Sequence, residues 1–245
     1  MKTIKDVTLV AVATTEIEAT VQALEYSANG LDFGRVLLIS SQNPRGLGNT
    51  FYDFIQIHPF SSVADWGRFI VFDLYKYIDT EFILLIHADG FVVNPHKWDD
   101  NFLGYDYIGA PWGLPKDNFS YRDFYGDVVR VGNSVSLRSK KLLKMPTEIG
   151  LEWANFDHGF AHEDGYLCVQ HRHTLQEQGI AFAPLAIACL FSREKTIPEN
   201  ENVEPFVFHK WQGRNKHYPC FGSRPHWASR IFKGIKKLKG FLING

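Results

Sequence analysis

Three near-continuous apolar runs limit what this chain can fold into more than any other feature. Residues 7–13 read VTLVAVA, residues 35–40 read RVLLIS and residues 82–86 read FILLI. A strand with one wet face alternates apolar and polar side chains. A strand without alternation is buried on both faces, as in a parallel sheet covered by helices. Between the first two runs, Thr14, Thr15 and Glu16 lead into a helical stretch to about Tyr26. Thr15 is the expected N-cap, Glu18 stands as in a capping box, and Asn29 with Gly30 closes the helix. A β-α-β unit results. A turn-rich connector follows, then a third strand over residues 54–58 and a helix over residues 62–77. Further helices are expected over residues 139–144 and 163–179. At 245 residues the chain fits one large α/β domain, with a central, mostly parallel sheet flanked by helices.

Several classes are excluded. The longest apolar run, Ile180 to Phe191, is interrupted by Pro184 and is too short to span a bilayer. Lys5 and Asp6 precede the first strand directly, so no secretory leader is read there. Cys168, Cys189 and Cys220 are too widely spaced for a disulfide framework or a paired-cysteine metal site, which fits a reducing cytoplasm. The net charge of −1 hides a polarity, because no acidic residue follows Glu204 and the chain divides there into a part of −10 and a part of +9. Such a basic end marks contact with something anionic: a diphosphate, a membrane surface or the acidic body itself. Within it, Ile231, Phe232, Ile235 and Leu238 lie opposite Lys233, Lys236, Lys237 and Lys239 at helical spacing. That pattern suits either an amphipathic helix on an anionic membrane surface or a basic helix packed on the body. The expected division is a single domain over residues 1–213 and a basic tail over residues 214–245. Nucleic acid is not an expected partner.

The chemistry-bearing residues gather where apolar runs end. In an open parallel sheet, ligands collect beyond the carboxyl ends of the strands, and FILLI ends abruptly in His87, Ala88, Asp89 and Gly90. Asp89 is read as a ligand or sugar contact, against a plain turn-initiating Asp before Gly90. His87 is either a donor-site residue or strand-end packing. Glu163 and Asp164 precede a helix-like stretch. They either favour its N-terminus or supply a base for an acceptor hydroxyl. His209 follows the apolar PFVF and is followed by Lys210, Trp211 and Arg214, a setting suited to a diphosphate. Thr14, Thr15, Arg68 and Gly90 complete the donor-side candidates. Trp112 offers a face for a sugar, and Gly132 and Asn133 offer close backbone approach.

The ordered set LYKYIDTEFILLIHADGFVVNP, FLGYDYIGAPW, VGNSVSLRSKKLL and HEDGYLC with FAPLAIACLFS behind it resembles a family of bacterial glycosyltransferase domains of polysaccharide and lipopolysaccharide biosynthesis. The resemblance implies a GT-A-like, Rossmann-type nucleotide-sugar-binding fold. It also implies transfer of a sugar from a nucleotide sugar to a glycan or lipid-linked acceptor on the cytoplasmic side. Asp89 would stand where the DxD carboxylate lies, Asp164 would be the acidic base, and His209 would complete a Mn²⁺ or Mg²⁺ site with Asp89. A base beside the anomeric carbon implies single displacement with inversion. The segment HADG departs from that pattern in offering one carboxylate, which gives Lys210 and Arg214 a compensating role. The alternatives are a non-catalytic nucleotide- or carbohydrate-binding protein on the same scaffold, and a nucleotidyltransferase, for which VAVATTE lacks the glycine-rich loop.

Overall fold

The computed structural model describes residues 1–46, 51–153 and 162–222. The expected amphipathic segment around residues 231–239 lies outside the described residues. The first β-α-β unit comprises β1 (Lys2–Ala13), α1 (Ile17–Ala28) and β2 (Leu31–Ser40). It is followed by β3 (Asp53–Gln56), α2 (Val63–Phe72) and β4 (Phe82–Ile86). The chain then forms β5 (Tyr107–Pro111), β6 (Val131–Ser139) and α3 (Lys140–Glu148). Six strands make one sheet in the order β3-β2-β1-β4-β6-β5. The first four of these run parallel, and β6 is antiparallel to both β4 and β5.

The lack of alternation in the apolar runs has the expected cause. Val7, Leu9 and Ala11 pack on one face of the sheet with α1, whereas Val10 and Val12 pack on the other with Ile70, Leu74 and Leu143. A third cluster, including Tyr107, Leu142, Tyr166 and Leu175, covers the β5–β6 side. Each fully buried Leu or Ile contributes about 1.5–3 kcal/mol, so residues on both faces of β1 and β4 anchor the sheet.

Because β2 lies on one side of β1 and β4 on the other, the crevice between the carboxyl ends of β1 and β4 is a topological switch point. Val10 and Ala11 pair with Leu85 and Ile86, so Thr14–Thr15 and His87–Asp89 leave the sheet side by side.

Two local expectations are corrected. The N-cap of α1 is Glu16 rather than Thr15, in a left-handed conformation (φ 48°) with no side-chain cap. The turn around the crevice places this kink one residue later, and the Thr14 hydroxyl accepts from Phe60 N instead (3.3 Å). The helix expected over residues 163–179 is interrupted. An α-turn α4 (Glu163–Gly165) runs into a π-turn over Tyr166–Gln170, and α5 (Arg172–Glu177) follows. The His171 N–H donates to the Tyr166 carbonyl at 3.0 Å, the wide spacing of a π-bulge, a form frequent at functional sites.

The rest of the described chain comprises α6 (Leu185–Phe191) and a small parallel pair, β7 (Ser192–Arg193) with β8 (Val207–Phe208). Residues 214–222, assigned to the tail from sequence, begin packed on the body. Asn215 is fully buried, and its side-chain amide contacts the carbonyls of residues 193, 194, 209 and 210. Among the described residues no helix is long and apolar enough to cross a membrane.

Candidate functional site

A cavity of about 550 Å³ opens at the switch point and is lined by Thr14, Thr15, Trp66, His87 and Asp89. A second cavity of about 840 Å³ lies beside it, lined by Trp112, Tyr121, Asn133, Asp164 and Glu194. Ser134, His162, His209 and Lys210 border both. The sequence candidates on the donor and acceptor sides therefore meet across one wall.

His87, Asp89 and His209 form a compact donor set, with one ligand atom from each lying within 4.8 Å of the others. The tight turn after β4 makes this possible. His87 N–H donates to the Gly90 carbonyl (2.8 Å) and Gly90 N–H to the His87 carbonyl (3.2 Å), which swings Asp89 out at the tip. Gly90 lets the turn pack against the β8 side. A Cβ there would meet Val135 Cγ2 at 2.5 Å, His209 Cδ2 at 2.9 Å and the Phe208 carbonyl at 2.9 Å. Gly90 thus belongs to the site as a packing residue rather than as a donor contact. Gly90→Ala is expected to displace His209 and weaken divalent-ion binding at least about tenfold, the loss usual when ligand orientation is disturbed. Calorimetric titration with Mn²⁺ checks this, and unchanged affinity would show that the His209 position does not depend on this contact.

Burial pulls the His87 imidazole down to about 4, with the neighbouring His209 acting in the same direction, so His87 is neutral at ordinary pH. For Asp89, burial pushes the pKa up, but contact with His209 and the nearby His87 and Lys210 outweighs it. The carboxylate stays ionised well below the usual range. His209 Nε2 lies 3.5 Å from Asp89 Oδ1. His87 Nε2 and His209 Nδ1 are buried without a hydrogen-bond partner among the described residues. Buried polar atoms without partners are uncommon, and an unplaced ion is one accepted reason. Ligands at about 2.1 Å from a metal are at most about 4.2 Å apart, so shifts of a few tenths of an ångström close this set around an ion. Two imidazoles, that of His87 neutral, and one ionised carboxylate are a donor set that fits a divalent metal.

Asp164 reaches the second cavity from α4 and is half-buried. Burial, then the adjacent Glu163 carboxylate, pushes its pKa above the ordinary value of 3.8 to about 6. Its Oδ1 accepts from Gly165 N at 2.8 Å. Asn133 adopts φ 110°; its carbonyl accepts from Tyr107 OH (2.5 Å) and its amide donates to Glu194 Oε2 (2.8 Å).

Other candidates are committed elsewhere. Glu163 borders the first cavity but is 1% exposed and bound to the fully buried Arg138 at 2.9 Å. Its carboxylate is committed to that pair and is withdrawn from a base role. Gly132 approaches a ring rather than a ligand, because a Cβ there would lie 2.0 Å from the Trp112 indole. Arg68 is exposed on α2 and pairs with Asp73 (3.2 Å), and Arg214 pairs with Glu201 (3.2 Å). Neither lines either cavity. Sequence reasoning passed over Glu194 and Ser134. Glu194 carries the same signal as Asp89, a carboxylate just past an apolar run, here LAIACLFSRE.

No curated protein matches the chain by sequence. Among solved structures, an active-site mutant of LgtC is 17% identical over 92% of this chain and 94% of its own, with a TM-score of 0.54. A glycosyltransferase involved in glycosylation of the major capsid of PBCV-1 is 14% identical over 86% of this chain and 96% of its own, at a TM-score of 0.47. The apo-form glycosyltransferase GlyE of Streptococcus pneumoniae TIGR4 is 12% identical over 94% of this chain and 63% of its own, also at 0.47. At such identities the likeness is one of fold, and the fold is the GT-A arrangement of a mostly parallel sheet flanked by helices. A family model described as "Protein of unknown function (DUF5672)" matches residues 51–209, from just before β3 through His209, and the chain belongs to that family.

Proposed function

We propose that the protein is a glycosyltransferase that moves a sugar from a nucleotide sugar to a hydroxyl of a glycan or lipid-linked acceptor, in bacterial surface polysaccharide synthesis. The observation that carries this reading is the meeting of two cavities at His209 and Lys210, with the His87–Asp89–His209 set on one side and Asp164 on the other. Thr14 and Thr15 line the donor cavity at the end of β1. His87, Asp89 and His209 would hold Mn²⁺ or Mg²⁺, which when bound neutralises charge on the departing diphosphate. The imidazole-rich set favours Mn²⁺ of the two. Lys210 adds a cation at the same wall. Trp112, tilted against Tyr121 with centroids 4.8 Å apart, offers an aromatic face to the acceptor. Asp164 takes the proton from the acceptor hydroxyl as it attacks the anomeric carbon from the face opposite the diphosphate, which inverts that centre. The basic tail is proposed to meet an anionic membrane surface on the cytoplasmic side.

A thermal-shift screen of nucleotide sugars with and without Mn²⁺ tests the reading. A ligand present at about 100 times its Kd stabilises the native state by roughly 2.7 kcal/mol, which is a shift of several degrees for a chain of this size. At least one nucleotide sugar is expected to raise Tm, more so with Mn²⁺, and Asp89→Ala is expected to lose the Mn²⁺-dependent part. If no nucleotide sugar moves Tm under either condition, the donor assignment is wrong.

A further inference from the structure

Glu194 follows β7 directly and has no part in the transfer as proposed above, yet it holds one residue from each side of the site. Its side chain is 12% exposed. Its Oε1 accepts from Lys210 Nζ at 2.8 Å and its Oε2 accepts from Asn133 Nδ2 at 2.8 Å. Both partners are non-glycine residues at positive φ, 62° for Lys210 and 110° for Asn133. Backbone of this kind persists only where its surroundings hold it, and it gathers at functional sites.

Here the surroundings hold both backbones without Glu194. Lys210 N–H donates to the Asp89 carbonyl (2.7 Å), and the Lys210 carbonyl accepts from Asn215 Nδ2 (3.1 Å). The Asn133 carbonyl accepts from Tyr107 OH, and Asn133 Oδ1 accepts from Val135 N (3.0 Å). The Lys210 ammonium is therefore free to change partner while its backbone stays in place. Its side chain is 53% exposed and borders both cavities, whereas Glu194 borders only the second.

We propose that the Lys210–Glu194 pair is an exchangeable latch that readies the acceptor cavity only once the donor is bound. A diphosphate in the first cavity offers the ammonium more negative charge than one carboxylate does, and Lys210 turns to it. Glu194 Oε1, half of a largely buried carboxylate, then lacks a donor, which is costly unless another is supplied. An acceptor hydroxyl in the second cavity supplies it, and Asn133 keeps Oε2 fixed so that Oε1 faces that hydroxyl. Glu194 is thereby a recognition residue for a neutral polyol. The latch rests on the reading of the first cavity as a diphosphate site.

Titration calorimetry with inorganic pyrophosphate and Mn²⁺ tests it on the wild type, E194Q, K210M and the double variant. A binding group held elsewhere lowers apparent affinity, so E194Q is expected to bind pyrophosphate about tenfold more tightly. The gain is expected to vanish in the K210M background. Equal or weaker binding by E194Q, or a gain that survives K210M, overturns the latch while leaving the diphosphate site intact. Absence of pyrophosphate binding in the wild type counts against the diphosphate site itself, and the latch falls with it. Should E194Q fail to melt cooperatively, E194D, one methylene short of Lys210, carries the same expectation.

Discussion

Asp164→Asn is expected to lower sugar transfer by about two to four orders of magnitude while leaving binding of the nucleotide sugar unchanged. An amide of the same shape fills the same space in the second cavity but cannot take the proton of an attacking hydroxyl. Because burial and Glu163 push the Asp164 pKa up to about 6, the base form accumulates as pH rises through that value. The wild-type rate is therefore expected to climb about tenfold per pH unit below 6 and to level off above it. Stability moves the other way. A carboxyl whose folded pKa is raised favours its protonated form in the native state. That contribution is complete below the ordinary value of 3.8 and is lost as pH rises through about 6. The Asn variant carries no such loss, so at neutral pH it is expected to be more stable than the wild type by on the order of 1–3 kcal/mol. Transfer assays from pH 4.5 to 8.5 with parallel melts check both halves. A variant that binds donor and still turns over at the wild-type rate removes Asp164 from the chemistry. Turnover lost on this single change also separates a transferase from a non-catalytic binding protein on the same scaffold.

The sheet was legible because it is written in the apolar runs. Residues 82–86 were read as a strand and form β4, and the side-by-side emergence of Thr14 and Asp89 follows from the parallel pairing of β1 with β4. What sequence could not supply was the partner each charged side chain would find. Arg68, Arg214 and Glu163 lie at plausible places in the chain, but each meets an opposite charge in the folded protein, Asp73, Glu201 and Arg138 respectively. Gly132 signalled close approach correctly in kind, but the approaching group is the Trp112 ring. The helix over residues 163–179 was misread because a periodic pattern does not reveal a π-turn, which changes the register after Gly165. Glu194 was missed for a different reason. Its apolar run forms mostly a helix, α6, and only two residues of strand before the carboxylate, so the end-of-strand signal was diluted.

Arg138→Met is expected to destabilise the protein by about 3–5 kcal/mol, a fall in Tm of roughly 10 °C or more, whereas Arg138→Met combined with Glu163→Met is expected to recover most of it. The two charges are 2.9 Å apart and 0% and 1% exposed, so removing the cation alone leaves a carboxylate with no solvent and no counter-ion. Arg138 also gives up its Nε bond to Ser136 Oγ (2.8 Å) and its place over the Tyr107 ring (5.4 Å). Removing both charges removes both desolvation costs, and apolar side chains of similar length fill the space. The double variant then reports on what the pair does for the site. Glu163 raises the Asp164 pKa more than Arg138 lowers it, so loss of both is expected to move the acid limb of the transfer profile to lower pH. A double variant that melts near the wild type and turns over with this shifted limb identifies Glu163 as a charge beside the base. If it melts near the wild type without turnover, the pair is needed for the chemistry itself, and the reading of Glu163 as only a charge beside the base fails.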